Sequence, residues 1–357
     1  MIPTRPDLSS LSPEVRLYIE SLESEVKRLE AFNIHTASPN RPVQGHDTED
    51  LPEVNEPAEA PTTINVITIT TSGIAKRSAR HLYIRQRRGG MGIFDLDTTQ
   101  DDPPAILTLA DQSSTLLLIT SAARAFRLPA SAILETPVHA RGASIVSKLS
   151  LSSGESLAVV IPEQAQGYLA LLSQNGMVRL VRHHVFGEYM KPGTALYDLR
   201  YFGPLAAACW TPGDSDLFIA TREGRAIRFS EKLVPPSGVQ GIRLSDQDQA
   251  IGITPVYPTS GVFLLGADGR GTVRRVENFL PNKAPGTGGK IAMDTEHLVC
   301  ALNIDDQEDI FIISKLAKII RFKAEEIPPK EGVVQGVNCM SLRADQPVSV
   351  ALNPSTR

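Results

Sequence analysis

Residues 66–77 read VITITTSGIAKR: a run rich in β-branched residues, a tight turn at Gly73 and a return stretch ending in two cations. The same order recurs as LLLITSAARAFR (116–127), YLALLSQNGMVR (168–179), DLFIATREGRAIRF (216–229), VFLLGADGRGTVRR (262–275) and DIFIISKLAKIIRF (309–322). The turn positions Gly73, Ala123, Gly176, Gly224, Gly269 and Ala317 are spaced by 50, 53, 48, 45 and 48 residues. A second mark follows each hairpin, a short apolar run: 105–109, 157–161, 205–209, 250–254, 298–302 and 348–352. Two marks recurring six times at one period predict four-stranded sheets stacked radially, an arrangement that hides the sheet edges. A β-sandwich or a linear β-solenoid accounts for neither the period nor the pairing of marks. The expected fold class is all-β, a six-bladed propeller-like disc over 62–357. Turns two and six carry alanine, and a different turn geometry is expected there.

Outward from the repeats, the flanks read differently. Over residues 1–34, Ser12 and Pro13 mark a helix start, and Val15, Ile19, Leu22, Val26 and Leu29 step by 4, 3, 4, 3, the seam of a short coiled coil. A seam this short must pack on something: a second copy, the protein's own body or another protein. Residues 35–61 are acidic and Pro-rich, poor in large apolar side chains, and read as a disordered linker. Residues 1–61 hold five basic against twelve acidic residues, whereas the rest holds 31 against 28, so a net charge of −4 conceals a slightly basic body. No run is apolar enough for a membrane helix and the start lacks a signal-peptide pattern, so a cytoplasmic protein without membrane contact is expected. Cys209, Cys300 and Cys339 lie far apart, which suggests neither disulfides nor zinc.

The most specific string is Gln86-Arg87-Arg88-Gly89-Gly90-Met91-Gly92 in the connection of the first repeat. It resembles the QRRGGKG box of the C-terminal DNA-wrapping domain of DNA gyrase A, matching at six of seven positions, with Met91 in place of lysine. TTSGIAKR before the box and ENFLPNKAPGTGGKIAM (277–293) extend the resemblance over most of the repeat body. It implies a β-pinwheel, a disc whose blades exchange strands and which bends duplex DNA around a basic rim. It also implies a binding role for Gln86, Arg87, Arg88, Gly89, Gly90 and Gly92, weakened by the lost charge at Met91. Arg87 and Arg88 suit phosphate, and the glycines would offer unshielded N–H donors.

Cations also follow each turn: Lys76 and Arg77, Arg124 and Arg127, Arg179 and Arg182, Arg225 and Arg228, Arg270 with Arg274 and Arg275, Lys318 and Arg321. Equivalent blades would align them in a stripe able to hold a bent duplex by its backbone. Catalytic readings find little: His183 and His184 would leave opposite faces of a strand, and GADGRG (266–271) and GTGGK (286–290) lack the spacing of a phosphate-binding loop. No cofactor or metal is expected. Gyrase A proteins cleave DNA through an N-terminal tyrosine region that 1–61 has no room for, so the expectation is a stand-alone, non-enzymatic DNA-bending disc. The alternatives are a protein-interaction scaffold or an accessory component of a type II topoisomerase.

Overall fold

The computed structural model describes residues 59–277 and 279–353. The chain divides into two compact units, Met1–Asn55 and Glu56–Arg357, and the described residues belong to the second. The expected coiled-coil helix lies outside the described residues; within them the one α-helix is Leu199–Phe202, four residues long, and nothing in the fold supports a coiled coil.

Each repeat begins with a hairpin: Ile64–Thr70 with Ile74–Ala79, Thr115–Thr120 with Arg124–Pro129, Tyr168–Ser173 with Met177–Arg182, Asp216–Thr221 with Arg225–Ser230, Gly261–Gly266 with Arg270–Arg275, and Asp309–Ser314 with Lys318–Lys323. The second mark supplies a third strand: Pro104–Asp111, Leu157–Pro162, Leu205–Thr211, Ala250–Val256, Leu298–Ile304 and Pro347–Leu352. These inner strands lie side by side around the ring, the last against the first. The first hairpin strands are covered on both sides by neighbouring blades and therefore read as continuous apolar runs; every residue of Asp309–Ser314 is buried. Apolar cores fill the interfaces between successive blades, and the sixth joins Val66, Tyr83, Leu107 and Leu109 of the first repeat to Phe311, Ile313, Ile319 and Ala351 of the last.

The turns follow one chemistry. In all six, the N–H of the turn residue donates to the carbonyl three residues back, as from Gly73 to Thr70 at 3.0 Å and from Ala123 to Thr120 at 2.8 Å. In five, the hydroxyl of that earlier Thr or Ser also accepts the N–H that follows the turn, from Ile74, Arg124, Met177, Arg225 and Lys318. The different geometry expected at turns two and six is not found: Ala123 and Ala317 have φ of 55° and 59°, the left-handed region the glycine turns use. The hydrogen bonds of the turn impose that conformation, and a methyl group is small enough to bear it.

The fourth strand is exchanged. Blade 1 is completed by Ala143–Ser144 of the second repeat, blade 2 by Thr194–Ala195, blade 3 by Val239–Gln240, blade 4 by Lys290–Ile291, and blade 5 by Pro329–Lys330 and Val337–Asn338. Blade 6 is completed by Ile93–Phe94, which pairs with Lys318 and Ile319 and closes the ring with the first repeat.

Candidate nucleic-acid interface

The connection between each hairpin and the exchanged strand runs along the outer edge of the blades. A large apolar residue ten positions after the turn anchors it: Tyr83, Ile133, Phe186, Val234, Phe279 and Ile327 are all buried. A glycine then precedes one exchanged strand of every blade, at 92, 142, 193, 238, 289 and 336. Gly92 shows why. Its φ is +70°, and a Cβ there would lie 2.6 Å from the carbonyl oxygen of Ile319, so only a bare backbone can approach the neighbouring blade this closely.

The QRRGGMG string therefore sits on the seam where the ring closes. Gln86 N–H donates to Arg321 O at 2.8 Å, and its Oε1 accepts from Gly92 N–H at 3.2 Å. Gly89 N–H donates to Cys339 O at 2.8 Å and Gly90 N–H to Arg87 O at 3.2 Å. The glycine N–H groups, expected to be unshielded, are thus already engaged within the protein. Arg88 is exposed, yet its Nε donates to Glu326 O at 2.9 Å and Nη1 to Asn338 O at 3.2 Å. Arg87 is exposed and has no hydrogen-bond or ion-pair partner among the described residues, and Met91, four positions on, is 58% exposed. Arg85, on the same stretch, pairs with Asp309 at 2.9 Å.

The cations after the turns do not form the expected continuous stripe. Lys76, Arg228, Arg274 and Arg321 are buried, because strand return and blade stacking turn them into the interfaces. Lys76 lies 2.8 Å from Asp95 with both side chains fully buried, and Asp95 also accepts from Tyr83 Oη and Thr68 Oγ1, each at 2.6 Å. Burial, together with the charge of Asp95, pushes the Tyr83 phenol well up. Arg321 binds Asp309 and donates to Tyr83 O at 3.0 Å; Arg228 binds Asp216 and donates to Val276 O at 2.8 Å. Each of these two arginines thereby ties its blade to the connection of a neighbouring repeat. Arg274 keeps Nε and Nη1 without a partner, and burial lowers its pKa.

Half-buried members act similarly. Arg77 holds Glu135 and Ile133 O, Arg124 holds Glu155, Arg127 holds Glu163, Arg225 donates to Gly288 O and Gly289 O, and Lys318 lies over the Phe94 ring. Arg179 is half-buried, with its Nε lacking a partner. Arg182, Arg270 and Arg275 are exposed, but Arg275 faces elsewhere, into a cavity of about 1110 Å³ at the ends of the inner strands, with Trp210, Tyr257 and Asp305 in its wall.

Cations that the hairpin pattern missed lie in the connections, Arg141, Lys191, Lys232, Lys283 and Lys330, or on and just after an exchanged strand, Lys290 and Arg243; all are exposed, in repeats two to six. With Arg87 and Arg88 they give every connection an exposed positive charge. The signal was there: each lies within six residues of a glycine that precedes an exchanged strand. Among the described residues no three metal-ligating side chains cluster, and no helix is long and apolar enough to cross a membrane. The cysteines are free, and burial raises their pKa, Cys339 to about 12.

Comparison with known proteins agrees with this architecture. The model of the DNA gyrase C-terminal domain, beta-propeller, matches residues 65–102, 114–161, 215–256 and 308–330. The DNA gyrase A protein of Mycobacterium bovis is 30% identical over 309 residues, 81% of this chain and 36% of the relative, and that of Staphylococcus epidermidis 27% over 298 residues, 80% and 33%. The chain thus spans about a third of the length of these curated relatives. In structure it is similar to a DNA gyrase A C-terminal domain, with a TM-score of 0.73 at 19% identity over 81% of this chain and 99% of the other. The C-terminal domain of a DNA topoisomerase IV gives 0.58 at 18% identity over 82% and 94%. Six exchanged blades, the string on their seam and these matches together identify the ring as a DNA gyrase A C-terminal-like domain.

Proposed function

We propose that the ring binds duplex DNA along its outer edge, by phosphate contacts that do not read base sequence, and bends it around the blades. The observation that carries this reading is the exposed cation recurring in every connection: Arg87, Arg141, Lys191, Lys232, Lys283 and Lys330. Cations spread over six blades suit a bent duplex, since bending 20 to 30 base pairs by 40 to 90° costs on the order of 1 to 6 kcal/mol and no single contact offsets that. In this reading the ring's role is non-catalytic, modulating DNA topology alone or beside a type II topoisomerase. The seam Val15, Ile19, Leu22, Val26 and Leu29 is the element that would pair two copies and raise avidity.

Binding to duplexes of about 30 and about 150 base pairs across a salt series tests the reading, since wrapping requires length preference and a steep fall with salt. Arg87→Ala should leave the melting temperature unchanged while lowering the salt slope by about 1. Failure to bind either duplex at about 50 mM salt would refute the proposal and turn attention to protein partners.

A further inference from the structure

Four cations of the hairpins are buried, and three of them have a carboxylate at hand. Lys76 lies 2.8 Å from Asp95, Arg228 2.8 Å from Asp216 and Arg321 2.5 Å from Asp309. The fourth, Arg274, is 8% exposed, and no carboxylate of the described residues reaches it. The sequence shows why. Asp216 and Asp309 each stand eight positions before the turn residue of their repeat, and in the fifth repeat that place is Gly261. Arg274 itself stands five positions after the turn, where the other repeats carry Ser78, Leu128, Val181, Phe229 and Phe322, all buried and uncharged. Arg274 Nε and Nη1 and Thr272 Oγ1 are buried without a hydrogen-bond partner. Two apart on one strand, Thr272 and Arg274 leave the same face of the sheet. Lys330, exposed, is the register partner of Arg274 in a parallel pair, so it shares that face. A guanidinium, an ammonium and a hydroxyl thus gather on the two outermost strands of blade 5.

We infer that Arg274, with Thr272 and Lys330, forms a binding site for a phosphoryl group near the outer edge of blade 5. A buried charge without a counterion is costly, and the ring meets that cost with a carboxylate at each of its other three buried cations. Each bidentate edge of a guanidinium joins Nη2 to Nε or to Nη1, so both edges of Arg274 stay open to an oxyanion. A phosphoryl group, with more oxygens than a carboxylate and up to two charges, matches the guanidinium, the ammonium and the hydroxyl together. The inference goes beyond the DNA-binding reading, because the phosphoryl group can come from free phosphate or from a duplex backbone.

Thermal melting of the full chain in phosphate against chloride, at matched ionic strength, tests the site. Phosphate at about ten times its half-saturating concentration should raise the melting temperature by about 2 to 4 °C. Arg274→Met, which fills similar space without charge, should melt higher than the unaltered chain in chloride and lose the response to phosphate. Arg274→Lys keeps the charge but not the planar donors, and should retain only part of the response. Arg141→Ala, which removes an exposed cation elsewhere on the edge, should retain all of it. A full phosphate response in Arg274→Met, or a lower melting temperature for that variant in chloride, would overturn the inference. Competition separates the sources: if phosphate displaces a duplex of about 30 base pairs at constant ionic strength, and Arg274→Met removes that competition, the duplex supplies the phosphoryl group. If phosphate and duplex bind together, the site takes free phosphate; either result upholds the site. A chain that keeps the Arg274-dependent response but binds no duplex would refute the DNA-binding reading and leave this site standing.

Discussion

Ala123 and Ala317 occupy the same left-handed corner as Gly73, and the difference lies in what surrounds them. A Cβ at Gly224 would lie 2.3 Å from Met293 O, whereas the chain beside the alanine turns accommodates a methyl group. The same reasoning applies with more force at Gly92, where backbone strain and contact with Ile319 O coincide. Gly92→Ala should therefore destabilise the fold by about 2 to 4 kcal/mol in urea titration, beyond the roughly 1 to 2 kcal/mol of a left-handed alanine alone. At Met91, 58% exposed and four positions after the unpartnered Arg87, the outcome should be the reverse. Met91→Lys should leave stability unchanged and steepen the salt dependence of duplex binding by about 1 in slope.

Among the elements, hairpins and inner strands were legible because each recurs with its own mark, apolar, β-branched and turn-bounded. The exchanged strands were not. Two residues carry no periodicity, and the glycine preceding each is diluted among 26 in the chain. The cations were misread for a related reason: a strand pattern says that Lys76 and Arg77 point to opposite faces, but not which face a neighbouring blade will cover. Asp95, next to the exchanged strand, receives Lys76 and Thr68 from blade 1 while its N–H donates to Ala317 O in blade 6 at 2.8 Å. Lys76→Met should cost about 3 to 5 kcal/mol, since it leaves a buried carboxylate without its countercharge. Lys76→Met combined with Asp95→Leu should recover part of the loss, and chemical denaturation of the three variants measures the coupling.

The ring as a whole leans on carboxylates. Burial opposes ionisation of Glu59 and Glu155, but hydrogen bonds from Arg321 and Arg80 to the first, and from Ser152, Thr120 and Arg124 to the second, hold both below the usual range. Asp102 is similarly held low by Ser72 against the effect of burial, and Asp111 by Ser113 and Thr63. Groups with depressed folded pKa stabilise fully above their unfolded values and lose that contribution as pH falls through the folded ones. Thermal melts should accordingly be flat from neutral pH to about 5 and fall steeply below about 4. A melting temperature independent of pH down to about 3 would show that these contacts contribute nothing to stability.

Exchange of strands around the ring also orders events in time. Blade 6 borrows Ile93–Phe94, made more than 200 residues before its partners Lys318 and Ile319. At roughly 5 to 20 residues per second, a ribosome would expose that segment for roughly 10 to 45 s before its partner strand exists. During that interval the first repeat waits with its seam apolar residues open, and pairing at the greatest separation along the chain comes last. Joining the first and sixth repeats through a short linker and opening the chain between two middle blades would move this waiting period elsewhere, so circular permutants should differ in folding yield while sharing one native ring.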